Sequence, residues 1–113
     1  MKIYEDRELQ IEISNCFSFG VVPVGESKTI TLYIKNDDRP SLTGRLINLK
    51  FEVICLDPEN DLAIEDEKVL VIDAPSELEI YGSAPLILEW TPNISLEQGL
   101  KAKLIITGNK IIG

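Results

Sequence analysis

Histidine is absent from the 113 residues, and this limits the chemistry available to the chain. It removes the usual general base, the Ser-His and Cys-His nucleophile pairs and the commonest zinc ligand. Two cysteines, Cys16 and Cys55, remain, and a Cys-only zinc site needs more than two. The densest oxygen ligands are Asp57-Pro58-Glu59-Asn60-Asp61, followed by Glu65-Asp66-Glu67. Alternate acids on a loop can converge on calcium, but the EF-hand spacing fails. Counting from Asp57, the required glycine position holds Leu62 and the bidentate glutamate position holds Lys68. A solvated acidic loop accounts for this segment without an ion. Carboxylate-only catalysis needs two acids a few ångströms apart in a cleft, and no spacing here selects a pair.

Other candidates have structural readings. Gly20, Gly25 and Gly82 form no Gly-x-Gly-x-x-Gly or Gly-Lys-Ser/Thr run, so they read as turn glycines rather than a phosphate cradle. Trp90 shares its register with Leu86 and Leu88 and reads as core. Tyr33 and Tyr81 fall at exposed positions, and single exposed aromatics are ordinary. The expectation is a protein that is not an enzyme, with no catalytic, cofactor-binding or metal site.

The net charge is −8, with 19 acidic and 11 basic residues. Neutralising phosphates requires Lys and Arg, so the balance argues against nucleic acid and against an anionic membrane surface. No apolar run approaches the roughly 18 residues of a membrane span. The opening Met1-Lys2-Ile3-Tyr4-Glu5-Asp6-Arg7-Glu8 has no apolar core of a secretory signal, which points to a cytoplasmic location. Free thiols are the expected state there, although sequence supplies no Cα separation with which to exclude a disulfide.

The elements that would position any site repeat with period two. Leu9, Ile11 and Ile13 alternate with polar residues, as do Ile30, Leu32 and Ile34, and then Ile47, Leu49, Phe51, Val53 and Cys55. Val69-Leu70-Val71-Ile72 reads as a strand buried on both sides or crossing an edge. Leu86, Leu88 and Trp90 alternate again, followed by Leu100, Ala102, Leu104 and Ile106. Only Ser95-Leu96-Glu97-Gln98-Gly99 suits a single helical turn. Gly108 to Gly113 suits a frayed end or a segment that pairs with another chain. Turn formers separate the runs, including Pro23-Val24-Gly25 and Asp37-Asp38-Arg39-Pro40. Short alternating strands with such breakers predict an all-β sandwich or barrel, and residues 1–113 read as one domain.

Phe17-Ser18-Phe19-Gly20-Val21-Val22-Pro23-Val24-Gly25-Glu26, with Thr29, Leu32 and Asn36, resembles the opening of ASH (Hydin-type) and major-sperm-protein-like domains. Leu86-Ile87-Leu88-Glu89-Trp90-Thr91-Pro92 and Gly99 are similar to their close, and to many bacterial and phage Ig-like domains. Tyr81-Gly82-Ser83 stands where the family often has Pro-Gly. The resemblance implies an immunoglobulin-like antiparallel β-sandwich of about seven strands. Its motif consists of turn and core residues and specifies fold better than function. Small Ig-like proteins of this kind occur as tailed-phage virion accessories (decoration, neck or tail), which adds the virion to the expected locations.

Function is then expected at a surface. Ile54, Ile87 and Ile105 lie opposite their strands' main apolar sets, and Ile111 and Ile112 sit near the C-terminal end. Together they are the candidate protein-binding residues if the fold gathers them, and bulges or edge crossings that bury them are the alternative. The leading expectation is a structural module that binds a protein lattice or neighbouring copies, as a homo-oligomer in the latter case, with open sheet edges able to add a strand. The alternative is a cytosolic recognition domain whose Lys28, Lys35, Arg39, Arg45 and Lys50 form a basic strip for acidic peptides.

Overall fold

Alternation of period two requires each strand to bury one face, and the chain does so by packing two antiparallel sheets together. The architecture comes from a computed structural model that describes residues 1–36 and 44–111. The strands are β1 (Lys2–Tyr4), β2 (Glu12–Ile13), β3 (Cys16–Gly20), β4 (Lys28–Lys35), β5 (Arg45–Leu56), β6 (Val69–Asp73), β7 (Ser83–Trp90) and β8 (Leu100–Ile111). One sheet has the order β2-β1-β4-β7-β6 and the other β3-β8-β5. No helix occurs among the described residues, and 95–99 form a turn closed by Gly99 N donating to Leu96 O at 3.1 Å.

Among the expected strands, β4, β7 and β8 hold their register. A bulge between Ile47 and Lys50 turns Leu46 rather than Ile47 into the core. The 69–72 run is an edge strand that exposes Leu70, Val71 and Ile72 instead of being buried on both sides. In β4 and β7 the pairs Leu32–Leu86 and Ile30–Leu88 face inward, and in β5 and β8 the pairs Val53–Leu104 and Cys55–Ala102 do the same. Trp90 is fully buried and meets Phe19 edge-on across the two sheets, with ring centroids 6.0 Å apart. Leu9, Ile11 and Ile13 do not form the expected half-buried strand. The Asp6 carboxylate accepts from Gln10 N at 3.0 Å and Ile11 N at 2.7 Å, which folds the segment into a turn and leaves Ile11 exposed. β1, too short to show a period, was not expected; its Ile3 and Tyr4 are buried. The C-terminal segment pairs within its own chain as far as Ile111, opposite Arg45.

Asn36 closes one end of the molecule. Its Nδ2 donates to Gly44 O at 2.7 Å and Glu79 O at 3.1 Å, while its own N–H donates to Gly82 O at 2.9 Å. The side chain is thus a long-range clamp joining the end of β4, the start of β5 and the 78–82 turn. At the other end Gly99 has φ +84, and a Cβ there would lie 2.7 Å from Gly20 carbonyl atoms. Only glycine suits both the conformation and the approach.

Replacing Trp90 with Ala should lower unfolding free energy by roughly 3–5 kcal/mol, read from urea denaturation followed by far-ultraviolet circular dichroism. Asn36→Ala leaves buried carbonyls without their donor and should cost about 1–3 kcal/mol by the same measurement. Asn36→Asp should give no rescue, because a carboxylate cannot donate.

Candidate functional site

The acidic segment is the first place to look for chemistry, and Asp57 is committed locally within it. Asp57 Oδ1 accepts from Glu59 N at 3.0 Å, its Oδ2 accepts from Asn60 Nδ2 at 3.2 Å, and its backbone O accepts from Asp61 N at 2.8 Å. Asp61 instead receives a hydrogen bond from Lys101 Nζ at 2.6 Å, and that bond raises the lysine pKa. Among the described residues no group of three His, Cys, Asp or Glu side chains is placed to hold a metal ion.

Glu67 behaves differently from its acidic neighbours. It is buried, with Oε1 accepting from Asn93 N at 2.8 Å and Oε2 accepting from Asn93 Nδ2 at 3.0 Å. Composition placed it in a solvated run. Its parity with inward-facing Val69 was the available signal, because residues two apart share a face.

The thiols are both free and lie on opposite faces of one sheet. Cys16 pairs with Lys103 on the outer side, while Cys55 pairs with Ala102 on the inner side. With β8 between them, a disulfide is geometrically excluded. Burial raises the Cys55 pKa, the Glu67 charge adds to the rise, and a hydrogen bond from the Val69 backbone opposes it.

The free sheet edges carry many side-chain and loop caps. On β3, Ser14 Oγ donates to Cys16 O at 2.8 Å and accepts from Cys16 N at 3.1 Å. Gly20 N donates to Ser18 Oγ at 3.0 Å, and Lys28 Nζ reaches Phe19 O at 2.6 Å. The open edge of β5 is bonded towards both ends, by Leu78 and Ser76 at Leu46 and Leu49 and by Ile64 at Cys55. On β6 a bulge between Val71 and Asp73 interrupts the ladder, with Leu70 and Ile72 exposed. Such devices resist the strand addition that open edges would invite. Composition gives no hint of these caps, since each depends on the strand order.

The candidate protein-binding residues are distributed rather than gathered. Ile54 and Ile105 lie on the outer face of the β3-β8-β5 sheet as diagonal neighbours, each half-buried. Ile87 lies on the outer face of the other sheet, between Thr31 and Asp73. Ile111 ends β8 and is exposed, and Ile112 falls outside the described residues. Compared with family models, curated proteins and solved structures, the chain matches none. The site must therefore be read from geometry alone.

The cations separate as well. Lys28 and Lys35 end β4 in one sheet, whereas Arg45 and Lys50 belong to β5 in the other, and Arg39 lies outside the described residues. The expected basic strip is not formed by the four described members. Lys50 instead shares the outer face of its sheet with Lys101 and Lys103, where the strands contribute one carboxylate, Glu52. In a chain of net charge −8 this face is locally cationic and carries Ile54 and Ile105. Alternation already sets Lys101 and Lys103 on the face of Ile105, and Lys50 on the face of Ile54. What it does not give is that these two faces adjoin, because β5 and β8 are far apart in the chain.

Two outcomes follow for the thiols. A thiol-specific chromogenic reagent should modify Cys16 in the native protein and Cys55 only after denaturation. Because the folded pKa of Cys55 is raised, its contribution to stability is complete below the ordinary thiol value near 9.0 and is lost as pH rises through the folded pKa. Melting between about pH 8 and pH 10 should therefore decline less steeply in Cys55→Val than in the parent.

Proposed function

We propose that the chain is a non-enzymatic, immunoglobulin-like assembly module. It docks onto a protein lattice or onto neighbouring copies, in the manner of tailed-phage virion accessory proteins. The observation that carries this reading is the outer face of the β3-β8-β5 sheet. Ile54 and Ile105 lie there with Lys50, Lys101 and Lys103 and a single strand carboxylate, Glu52, on a protein that is otherwise strongly acidic. Aliphatic side chains among a majority of cationic ones suit a protein surface of net opposite sign, because burial supplies affinity and charge supplies orientation.

The surrounding structure favours a rigid face over a strand-capturing edge. The β3 caps and the β6 bulge obstruct an incoming peptide, and the division of Lys28 and Lys35 from Arg45 and Lys50 removes the electrostatic basis for capture along a basic strip. Assembly is therefore proposed ahead of peptide recognition.

Co-sedimentation with purified particles from the source of the protein, alongside light scattering over a range of concentration, tests the reading. Saturable binding to particles or a discrete oligomer is the expected result. A monomer that remains in the supernatant at every concentration would contradict it.

A further inference from the structure

Leu62 is 66% exposed, the largest exposure among the large apolar side chains of the described residues. Its loop is held by backbone bonds: Asp57 N donates to Leu62 O at 2.9 Å, and Leu56 bridges Ala63. An apolar side chain on a braced loop loses little further freedom on binding, so its burial is favoured more than that of a mobile one. Residues 57–67 contain no basic residue, and exposed Glu59, Glu65 and Asp66 flank the leucine.

The same molecule carries the complementary surface. The outer face of the β3-β8-β5 sheet offers Ile54 opposite Lys103 and Ile105 opposite Glu52, with Lys50 two residues beyond that glutamate, so lysines outnumber carboxylates on its strands. The 57–62 loop stands at one end of that face, where Asp61 holds Lys101 and Pro58 lines a recess with Cys16 and Ser18. The open half of the face lies alongside, towards Lys50 and Thr107.

We propose that this face is a two-fold self-docking surface: each copy seats Leu62 and its acidic loop on the outward isoleucines of a second copy, turned end for end. The proposal rests on the assembly reading above and names its partner as a second copy of this chain. Two patches adjacent on one surface suit an isologous dimer, in which the contact is made twice. The charges agree in sign with that arrangement, acidic loop against cationic face, and both contacts bury apolar groups at their centres.

Sedimentation velocity across a concentration series, at low and high salt, tests the surface. The full chain should form a dimer that weakens with salt. Leu62→Asp and Lys103→Glu should each raise the dissociation constant at least about tenfold. Melting temperatures should be unchanged at concentrations where the parent is monomeric, because both side chains are exposed in the single chain. Mixing the two variants should restore partial association, since one of the two contacts then joins an intact loop to an intact face. Misfolding would give no such rescue. A dimer unaffected by either substitution overturns this surface and leaves the assembly reading standing. A monomer throughout the series overturns self-docking, and particle co-sedimentation then decides the assembly reading separately.

Discussion

The contact between Trp90 and Phe19 joins the two sheets, and much of the molecule is arranged around it. Trp90 lies at the end of β7, flanked by Lys28 of β4 and Val69 of β6, and Phe19 comes from β3 in the other sheet. Both are fully buried. Large aromatics remove much apolar surface from water, and the edge-on arrangement adds to this by setting the positive ring edge against the negative face. β4, β7, β8 and β5 then direct Leu32, Leu86, Leu88, Leu104 and Cys55 into the same core. A one-residue slip in any of these strands would turn its apolar set outward, so the core also holds the register.

Polar groups finish what the core begins. Asn36 and Glu67 are the buried polar side chains among the described residues, and each ties distant segments together. Asn36 joins the 78–82 turn to the starts and ends of strands, while Glu67 pins the turn at Asn93 beside the buried Cys55. Buried polar groups are costly when unpaired, so the bonds they do make select particular loop positions. The serine and lysine caps on β3 apply the same logic at an edge. Once an edge is capped, interaction falls to the faces, which is why the outer lysines and isoleucines bear on function.

The amphipathic strands were legible because burial on one face imposes period two on local sequence. β4, β7, β8 and β5 from Leu49 onward needed no information beyond their own residues, while the bulge that puts Leu46 in place of Ile47 left no trace in the alternation. The Leu9–Ile13 alternation misled, because the Asp6 side chain offered the backbone a local alternative that outweighed a short apolar period. β1 could not be read, since three residues carry no period and its partners lie on distant strands. Ile54 and Ile105 were legible as outward isoleucines with the lysines of their own strands, but their cross-strand company was not. Whether they would meet Ile87 depended on strand order, and the order places Ile87 on the opposite outer face.

Sequence by itself determined the all-β class, the inward residues of the long strands outside the β5 bulge and the lack of histidine chemistry, since all three follow from residue type and local spacing. Tertiary structure alone decided which strands neighbour one another, and through that which charges share a face. Ile54 and Lys103 are far apart in the chain and become cross-strand neighbours only when β5 pairs with β8. Cross-strand juxtaposition depends on long-range packing that no local pattern encodes, and so the candidate interaction surface emerged only in the folded molecule.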